Sequence, residues 1–361
     1  MNICIVSNFK KSGYGESTRP GQMARYLKQF GHNVLHICDW DGTENGIQHI
    51  NISRDTWQPN PVKRLATFAR QYWAIQTFNP DVIYVHQFNN ADWAIKTKLF
   101  KGKRLVFDAH SCFYFEHISF GGNSAVSSII KTKEQAICNK SDFIIAASAE
   151  TAELLHQYYG TSKNKIKVVG NATTLQPVEK ISHNNTTNFS CLTTLPQDGF
   201  PANEMALEML LNIARTVYSK NNQVKFYVLG GGKMPEPKSP NVIYTGYVAN
   251  LQQAILNATV CLMPFPEKAV CGGARNKFCD YIATGKVVIT STEGLRGMEI
   301  LHSNENCIVA DSVEAFANEI LDLANNPDKL HKIETNVFNI RSYYNWHDRA
   351  RKTETILKEL L

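Results

Sequence analysis

Short apolar runs alternate with amphipathic stretches along nearly the whole chain. Residues 2–6 form the first apolar run, and a turn-rich stretch up to Gly15 follows it. From Arg19 to Gly31 the apolar positions Met23, Tyr26, Leu27 and Phe30 recur at helical spacing, and Gly31 stands where a C-capping glycine belongs. Residues 33–38 then read as a second strand, which completes a β-α-β unit. The spacing next predicts a helix over 62–78, strands at 81–86 and 104–108, and an irregular loop. A helix over about 124–139, a strand at 142–147, a helix at 149–158 and a strand at 166–169 close this half. Continuous apolar strands separated by helices predict a parallel sheet covered on both faces.

Residues 175–188 are polar and without periodicity, and they read as a linker. A second alternating series follows, with strands near 189–194, 224–229, 242–245, 259–263, 287–290 and 307–310. Its helices fall near 202–219, 249–257, 274–284, 312–325 and 328–339. The expected fold class is therefore α/β, with two Rossmann-like domains at 1–175 and 189–340 facing a cleft. A tail over 341–361 ends in a helix expected to cross back onto the first domain. In such folds ligands bind beyond the carboxyl ends of the strands.

Composition narrows this picture modestly. A length of 361 residues admits about two domains. With 43% hydrophobic and 19% charged residues, the chain is neither disordered nor fibrous. The net charge of +6 favours anionic ligands or an anionic membrane surface, but is too small to argue for nucleic acid. The nine cysteines are scattered, odd in number and without a C-x-x-C pair, so they read as small core hydrophobes in a reducing cytoplasm. No apolar run reaches the roughly 18 residues of a membrane span, which points to a cytoplasmic chain with at most peripheral contact at the inner face of a membrane.

Three places carry candidate chemistry. The loop holding Gly13 and Gly15 follows the first strand and could bring backbone amides to a phosphate. Position 18 is Thr18, so a G-x-G-x-x-G fingerprint is incomplete, and a tight turn without a ligand accounts for the loop equally well. The stretch from Pro264 to Thr290 leaves a strand, passes Gly272 and Gly273, and enters a predicted helix carrying Arg275 and Lys277 in its first turn. Cations there oppose the helix dipole, which suggests an anion at that end. Asp280 could accept hydrogen bonds from the vicinal hydroxyls of a ribose. His110 ends the strand at 104–108 and His86 the strand at 81–86, both on the cleft side, where a histidine can position a hydroxyl or shuttle a proton.

These residues resemble the GT-B fold glycosyltransferases, specifically the large retaining family 4. The resemblance runs through residues 19–34, the stretch 79–86, Asp108-Ala109-His110, and residues 166–171. Its most specific part is Gly272-Gly273-Ala274-Arg275-Asn276-Lys277 with 283–288, similar to a donor-site segment of that family. The resemblance implies transfer of a sugar, with retention, from a nucleotide-diphosphate sugar to an acceptor hydroxyl on a glycan, a lipid-linked molecule or a small molecule. The donor would be a co-substrate, with no resident cofactor and no metal. Arg275 and Lys277 would neutralise the diphosphate, and Gly272, Gly273, Ala274 and Asn276 would lie along the donor. Asp280 takes the place of the second acid of an E-x7-E motif whose first acid is absent, the residue eight positions earlier being Gly272. Gly246, Tyr247 and Val248 would line the nucleobase pocket, and Gly13 and Gly15 would meet the diphosphate. His110 would stand near the transferred sugar, with Arg19, His86 and Glu116 as candidates for the acceptor side. No metal-binding Asp-x-Asp is read in the chain, which fits neutralisation by side-chain cations. A sugar-nucleotide epimerase on the same fold and a non-catalytic nucleotide-sugar-binding protein stay open beside this reading. A dehydrogenase is disfavoured by the incomplete fingerprint.

Overall fold

The computed structural model describes residues 1–7, 18–51, 61–90, 94–96, 98, 102–181, 189–197, 199–236 and 239–361. The chain forms two compact units. One comprises Met1–Asn171, Gly272–Ala274 and Trp346–Leu361, and the other Ala172–Cys271 and Arg275–Asn345.

In the first unit β1 (Asn2–Val6), α1 (Thr18–Gln29) and β2 (Asn33–Cys38) build the initial β-α-β. Leu27 O accepts from the His32 amide and Lys28 O from the Gly31 amide. Gly31 sits at φ +88, so the helix ends in a Schellman motif that a side chain would strain. Next come β3 (Gly42–Glu44), β4 (Ile47–Asn51), α2 (Pro61–Phe78), β5 (Val82–His86) and β6 (Arg104–Ala109). The unit continues with α3 (Phe113–Ser119), α4 (Ser124–Lys140), β7 (Phe143–Ala146), α5 (Ala149–Tyr159) and β8 (Ile166–Val168). Among the described residues the sheet has eight strands in the order β3-β4-β2-β1-β5-β6-β7-β8. Its pairings are parallel except β3 against β4. One face of the sheet packs Cys4, Val6, Leu35, Ile37, Ile83, Val85, Leu105 and Phe107 into a single core.

Two elements depart from the expected pattern. β3 and β4 form a hairpin whose turn residues Asn45 and Gly46 both have positive φ, 51 and 71. Asn-Gly is the dipeptide such a two-residue turn selects, and its polar short strands hid it among loop residues. Helix α3 lies in the expected irregular loop. Its first amides, Phe113 N and Tyr114 N, donate to Glu134 on α4 at 3.1 and 2.8 Å. Tyr159 Oη donates to the same carboxyl at 2.5 Å. A helix this short depends on tertiary partners, so its own sequence carries little signal. Burial pushes the Glu134 carboxyl up to about 7, against these hydrogen bonds.

The second unit contains β9 (Ser190–Thr194), α6 (Pro201–Lys220), β10 (Lys225–Leu229), β11 (Val242–Gly246), α7 (Leu251–Leu256) and β12 (Val260–Met263). It continues with α8 (Lys277–Ala283), β13 (Val287–Thr290), α9 (Thr292–Leu295), β14 (Ile308–Val309), α10 (Val313–Asn325) and α11 (Pro327–Ile340). Its six described strands run in the order β11-β10-β9-β12-β13-β14, all parallel. The described part of the polar stretch after Leu175 is laid along this unit. Val178 N donates to Ala283 O at 3.0 Å, and Arg341 Nε donates to Val178 O at 2.6 Å. Unit membership changes between Asn171 and Ala172, ahead of that stretch.

The last helix, α12 (Trp346–Lys358), belongs to the first unit and packs on α1. His32, just after α1, meets Glu354 at 2.9 Å, and Lys358 reaches the same carboxyl at 2.8 Å. The nine cysteines are all free, eight of them buried and Cys271 half-buried. Among the described residues no helix is long and apolar enough to cross a membrane.

Candidate active site

The carboxyl ends of β5 and β6 bring together residues widely spaced in the first half of the chain. Arg19, 1% exposed, faces Asp108, which is 0% exposed. Its Nε donates to both Asp108 oxygens at 3.0 and 2.9 Å, and its Nη2 to Oδ1 at 2.8 Å and to Val169 O at 3.0 Å. Its Nη1 donates to Gly170 O and Asn171 Oδ1, both at 3.1 Å. All five guanidinium donors therefore have protein acceptors. Arg19, expected on the acceptor side, instead holds β6 against the segment after β8. Burial pushes the Asp108 carboxyl up, but the Arg19 charge outweighs it and the net shift is downward.

His86 ends β5 and is buried; burial lowers it to about 3, so its imidazole is neutral. His110 follows β6, half-buried, with its ring 6.1 Å from that of His86. Its Nδ1 is buried without a hydrogen-bond partner among the described residues. Glu116, on α3, accepts the Gly272 amide on Oε1 at 2.8 Å. The expected presentation of the Gly272 amide to a phosphate is thereby replaced by a protein contact. Gly272 O accepts from Cys112 N at 3.1 Å and from Thr151 Oγ1 at 3.0 Å, and Gly273 forms an isolated bridge with Ser111. Ala274 O accepts from Asn171 Nδ2 at 3.4 Å.

This close backbone approach is why two glycines stand here. A Cβ at Gly272 would meet Ser111 Oγ at 2.6 Å and Cys112 O at 2.7 Å, and one at Gly273 would meet His110 O at 2.2 Å. An acid at position 272 is thus sterically excluded. Gly272→Glu, which would complete the E-x7-E spacing, is expected to cost about 1–3 kcal/mol of stability through overpacking and to give no gain in rate. Thermal melting and a transfer assay on the variant check this, and a stable, faster enzyme would refute it.

The second unit carries its own cluster, built on the turn from β12 into α8. That helix starts at Lys277, later than the spacing predicts, so Arg275 precedes the helix and does not lie in its first turn. Arg275 is 6% exposed. Its Nη2 donates to Ala269 O at 2.5 Å and meets Glu293 Oε1 at 3.3 Å, and its guanidinium lies 3.6 Å from the Phe265 ring centroid. Lys277 Nζ donates to Thr194 O at 2.6 Å and to Asn203 Oδ1 at 3.4 Å. Tyr281 Oη accepts from Thr194 N at 2.8 Å, so α8 grips the carboxyl end of β9 through Lys277 and Tyr281. Protein acceptors thus offset part of the cationic charge that the sequence leaves unexplained. Glu293, not among the residues expected from the sequence, also accepts from Cys271 N at 3.0 Å and from Arg296 Nε at 2.8 Å, and so ties both ends of this turn. Its signal is an acid in the first turn of a helix that an N-capping serine, Ser291, opens just after a strand.

Asp280 lies in the first turn of α8, half-buried, and accepts from Thr173 Oγ1 at 2.5 Å. Burial pushes its carboxyl up to about 6, against the Thr173 hydrogen bond. Asn276 Oδ1 and Thr193 Oγ1, near Lys277 in sequence and on β9 respectively, are buried without partners among the described residues. Gly246 ends β11 and its carbonyl accepts from Gly230 N at 3.0 Å; Tyr247 is 67% exposed and Val248 half-buried. The run Gly230-Gly231-Gly232 directly after β10 belongs to the same strand-end loops, and three successive glycines after a predicted strand are the signal that identifies it. Glu267 is exposed. Gly13 and Gly15 lie outside the described residues. The first half does contain an Asp-x-Asp, Asp39-Trp40-Asp41, but Asp41 is tied to Asn51 N at 2.9 Å and to Arg70 at 2.5 Å.

Residues 17–176 match the family model described as Glycosyltransferase Family 4, and residues 198–326 the model described as Glycosyl transferases group 1. The chain is a GT-B glycosyltransferase whose two halves match two glycosyltransferase family models. No curated protein matches this glycosyltransferase. Its fold is that of sucrose-phosphate synthase from Thermosynechococcus elongatus, with a TM-score of 0.76 at 15% identity over 99% of this chain and 98% of that one. HepE from Anabaena has a TM-score of 0.75 at 15% identity over 99% of both chains. A glycosyltransferase from Rickettsia africae has 0.73 at 17% identity over 99% of this chain and 97% of that one. The α/β architecture of two parallel-sheet units is the GT-B fold.

In this glycosyltransferase the raised carboxyl of Asp280 makes stability pH-dependent. Between the ordinary aspartate value and about 6, the folded chain holds a proton that the unfolded chain has released, so stability falls as pH rises through that window. Asp280→Asn removes the ionisation. The variant is expected to be at least as stable as the parent at neutral pH and to show a shallower decline, the remainder belonging to Glu134, whose buried carboxyl is also raised, to about 7. Melting temperatures of both chains between about pH 4 and about pH 7 check this, and an unchanged decline in the variant would assign it to another group.

Proposed function

We propose that the chain transfers a sugar from a nucleotide-diphosphate donor to an acceptor hydroxyl, with retention and without a metal in the step. The observation that carries this is the joint position of Lys277 and Asp280 in the first turn of α8, with Lys277 held at the carboxyl end of β9. Helix N-termini and strand carboxyl ends are where α/β folds take phosphates. Lys277 and Arg275 would stabilise the charge that develops on the diphosphate, and Asp280 would accept from ribose hydroxyls once they displace the Thr173 contact. In the step, the bond from the anomeric carbon to the phosphate oxygen breaks and a bond to the acceptor oxygen forms. The acceptor proton passes to the departing phosphate, which leaves as the nucleoside diphosphate. His110, with its unpartnered Nδ1, is the group of the first unit best suited to position a sugar hydroxyl.

HepE of Anabaena was solved with UDP and glucose, and TarM of S. aureus with UDP. UDP is therefore the first nucleotide to try. A thermal-shift panel of nucleoside diphosphates and their sugars tests the reading, because a ligand at about 100 times its Kd adds about 2.7 kcal/mol. One nucleotide is expected to raise the melting temperature clearly above the others. Donor consumption that needs an acceptor supports transfer. Consumption without one would indicate an epimerase, binding without turnover a non-catalytic protein, and no shift with any nucleotide would overturn the reading.

A further inference from the structure

Two histidines and a cysteine that take no part in the sites above meet on the first sheet, with His86 near enough to act on His36. β2 and β4 are parallel neighbours, with His36 opposite His49 and Cys38 opposite Asn51. Side chains two apart on a strand share a face, so His36 and Cys38 project together and His49 stands beside His36. All three are buried, at 0%, 0% and 6% exposure for His36, Cys38 and His49. One potential ligand atom from each lies within 4.8 Å of the other two.

We propose that His36, Cys38 and His49 form a binding site for a d10 cation, zinc(II) or copper(I). An imidazole-rich set with one thiolate is the donor chemistry these ions share. Cys38 Sγ lies 3.7 Å from His49 Nδ1. In a tetrahedral zinc site with Zn–S of about 2.3 Å and Zn–N of about 2.0–2.1 Å, the S···N edge is roughly 3.6 Å. That edge is therefore already at coordination length, and the other two need only close from 4.8 Å or less. Ser7 Oγ, 2.8 Å from His36 Nε2, fixes that ring in the way outer hydrogen bonds orient metal-bound imidazoles. The Trp40 ring packs 4.5 Å from the His49 ring and covers it. The imidazole centroids of His36 and His49 are 5.1 Å apart. Burial, and then the neighbouring histidines, hold His36 well below its ordinary value, in the neutral form that binds metal. Burial pushes the Cys38 thiol up to about 12. Binding therefore releases the thiol proton to solvent as the metal–sulfur bond forms. The fourth position falls to water, and no step of sugar transfer is assigned to the ion.

The test uses the full chain and reads metal content. After exposure to zinc and desalting, about one equivalent is expected to stay bound, and to be lost in Cys38→Ser and in His49→Ala. Retention of copper(I) with the same losses supports the site equally. Equal metal content in parent and variants overturns it. Where a variant fails to fold, cobalt(II) titration of the parent and of Cys271→Ser serves instead, since Cys271 is the one half-buried thiol. A thiolate-to-cobalt charge-transfer band in both chains supports the site. Its absence from the parent, or its loss in Cys271→Ser, overturns it. None of these readings depends on the proposed transfer reaction.

Discussion

Arg19→Met is expected to lower stability by about 3–5 kcal/mol, because removing one member of a buried ion pair strands the other charge in a dry interior. Asp108 would keep no cationic partner, and the carbonyls of Val169 and Gly170 and the Asn171 side chain would each lose a donor. Set against a typical total of about 5–15 kcal/mol, such a loss is enough to reduce the yield of folded chain. Thermal and urea melting of the purified variant measure it. The double variant Arg19→Met, Asp108→Leu should recover part of the loss, since an apolar pair of similar volume removes both charges together. A single variant melting within a few degrees of the parent would show that Asp108 finds compensation elsewhere.

Lys277→Ala is expected to slow sugar transfer by about 10²–10³-fold, the usual consequence of deleting one group aimed at charge that develops in the transition state. The side chain is half-buried and its removal leaves α8 anchored to β9 through Tyr281 and Thr194, so folding should survive. The diagnostic is how the loss divides. Equal falls in kcat and kcat/KM would place the interaction in the transition state, whereas a rise in KM alone would place it in ground-state donor binding. Unchanged transfer would remove Lys277 from the site.

Most of the elements were legible because their burial is uniform. β5 reads buried at every position and β12 and β13 likewise, and a continuous apolar run is the mark of a strand covered on both faces. Helices α1, α6 and α10 were readable through their apolar stripes. The start of α8 was not. Residues 271–276 have ordinary helical or turn composition, and what holds them out of the helix is Glu293 drawing in Cys271 N and Arg275, together with the bonds of Gly272 to Glu116, Cys112 and Thr151. Those partners lie far away in the chain, so no local window contains the signal.

The site divides along the same line. The kinds of residue needed for a diphosphate donor, and their order along the chain, were written in the linear pattern: cations, glycines and an acid packed into one turn-to-helix segment, and a histidine at a strand end. Their individual roles were not, because a role depends on which groups remain after packing has taken its share. Arg19 and Asp108 are 89 residues apart, yet each is consumed by the other, and the resemblance in residues 19, 108 and 169–171 describes one buried cluster that holds the first sheet together. Gly272 and Gly273 owe their lack of a side chain to the backbone of residues 110–112. His36, Cys38 and His49 pass for scattered core residues until the parallel register of β2 and β4 sets them side by side. Hydrophobic periodicity is a short-range property and the chain carries it openly. Burial of charge, backbone crowding and ligand geometry are relations between distant residues, and they exist only once the chain has closed on itself.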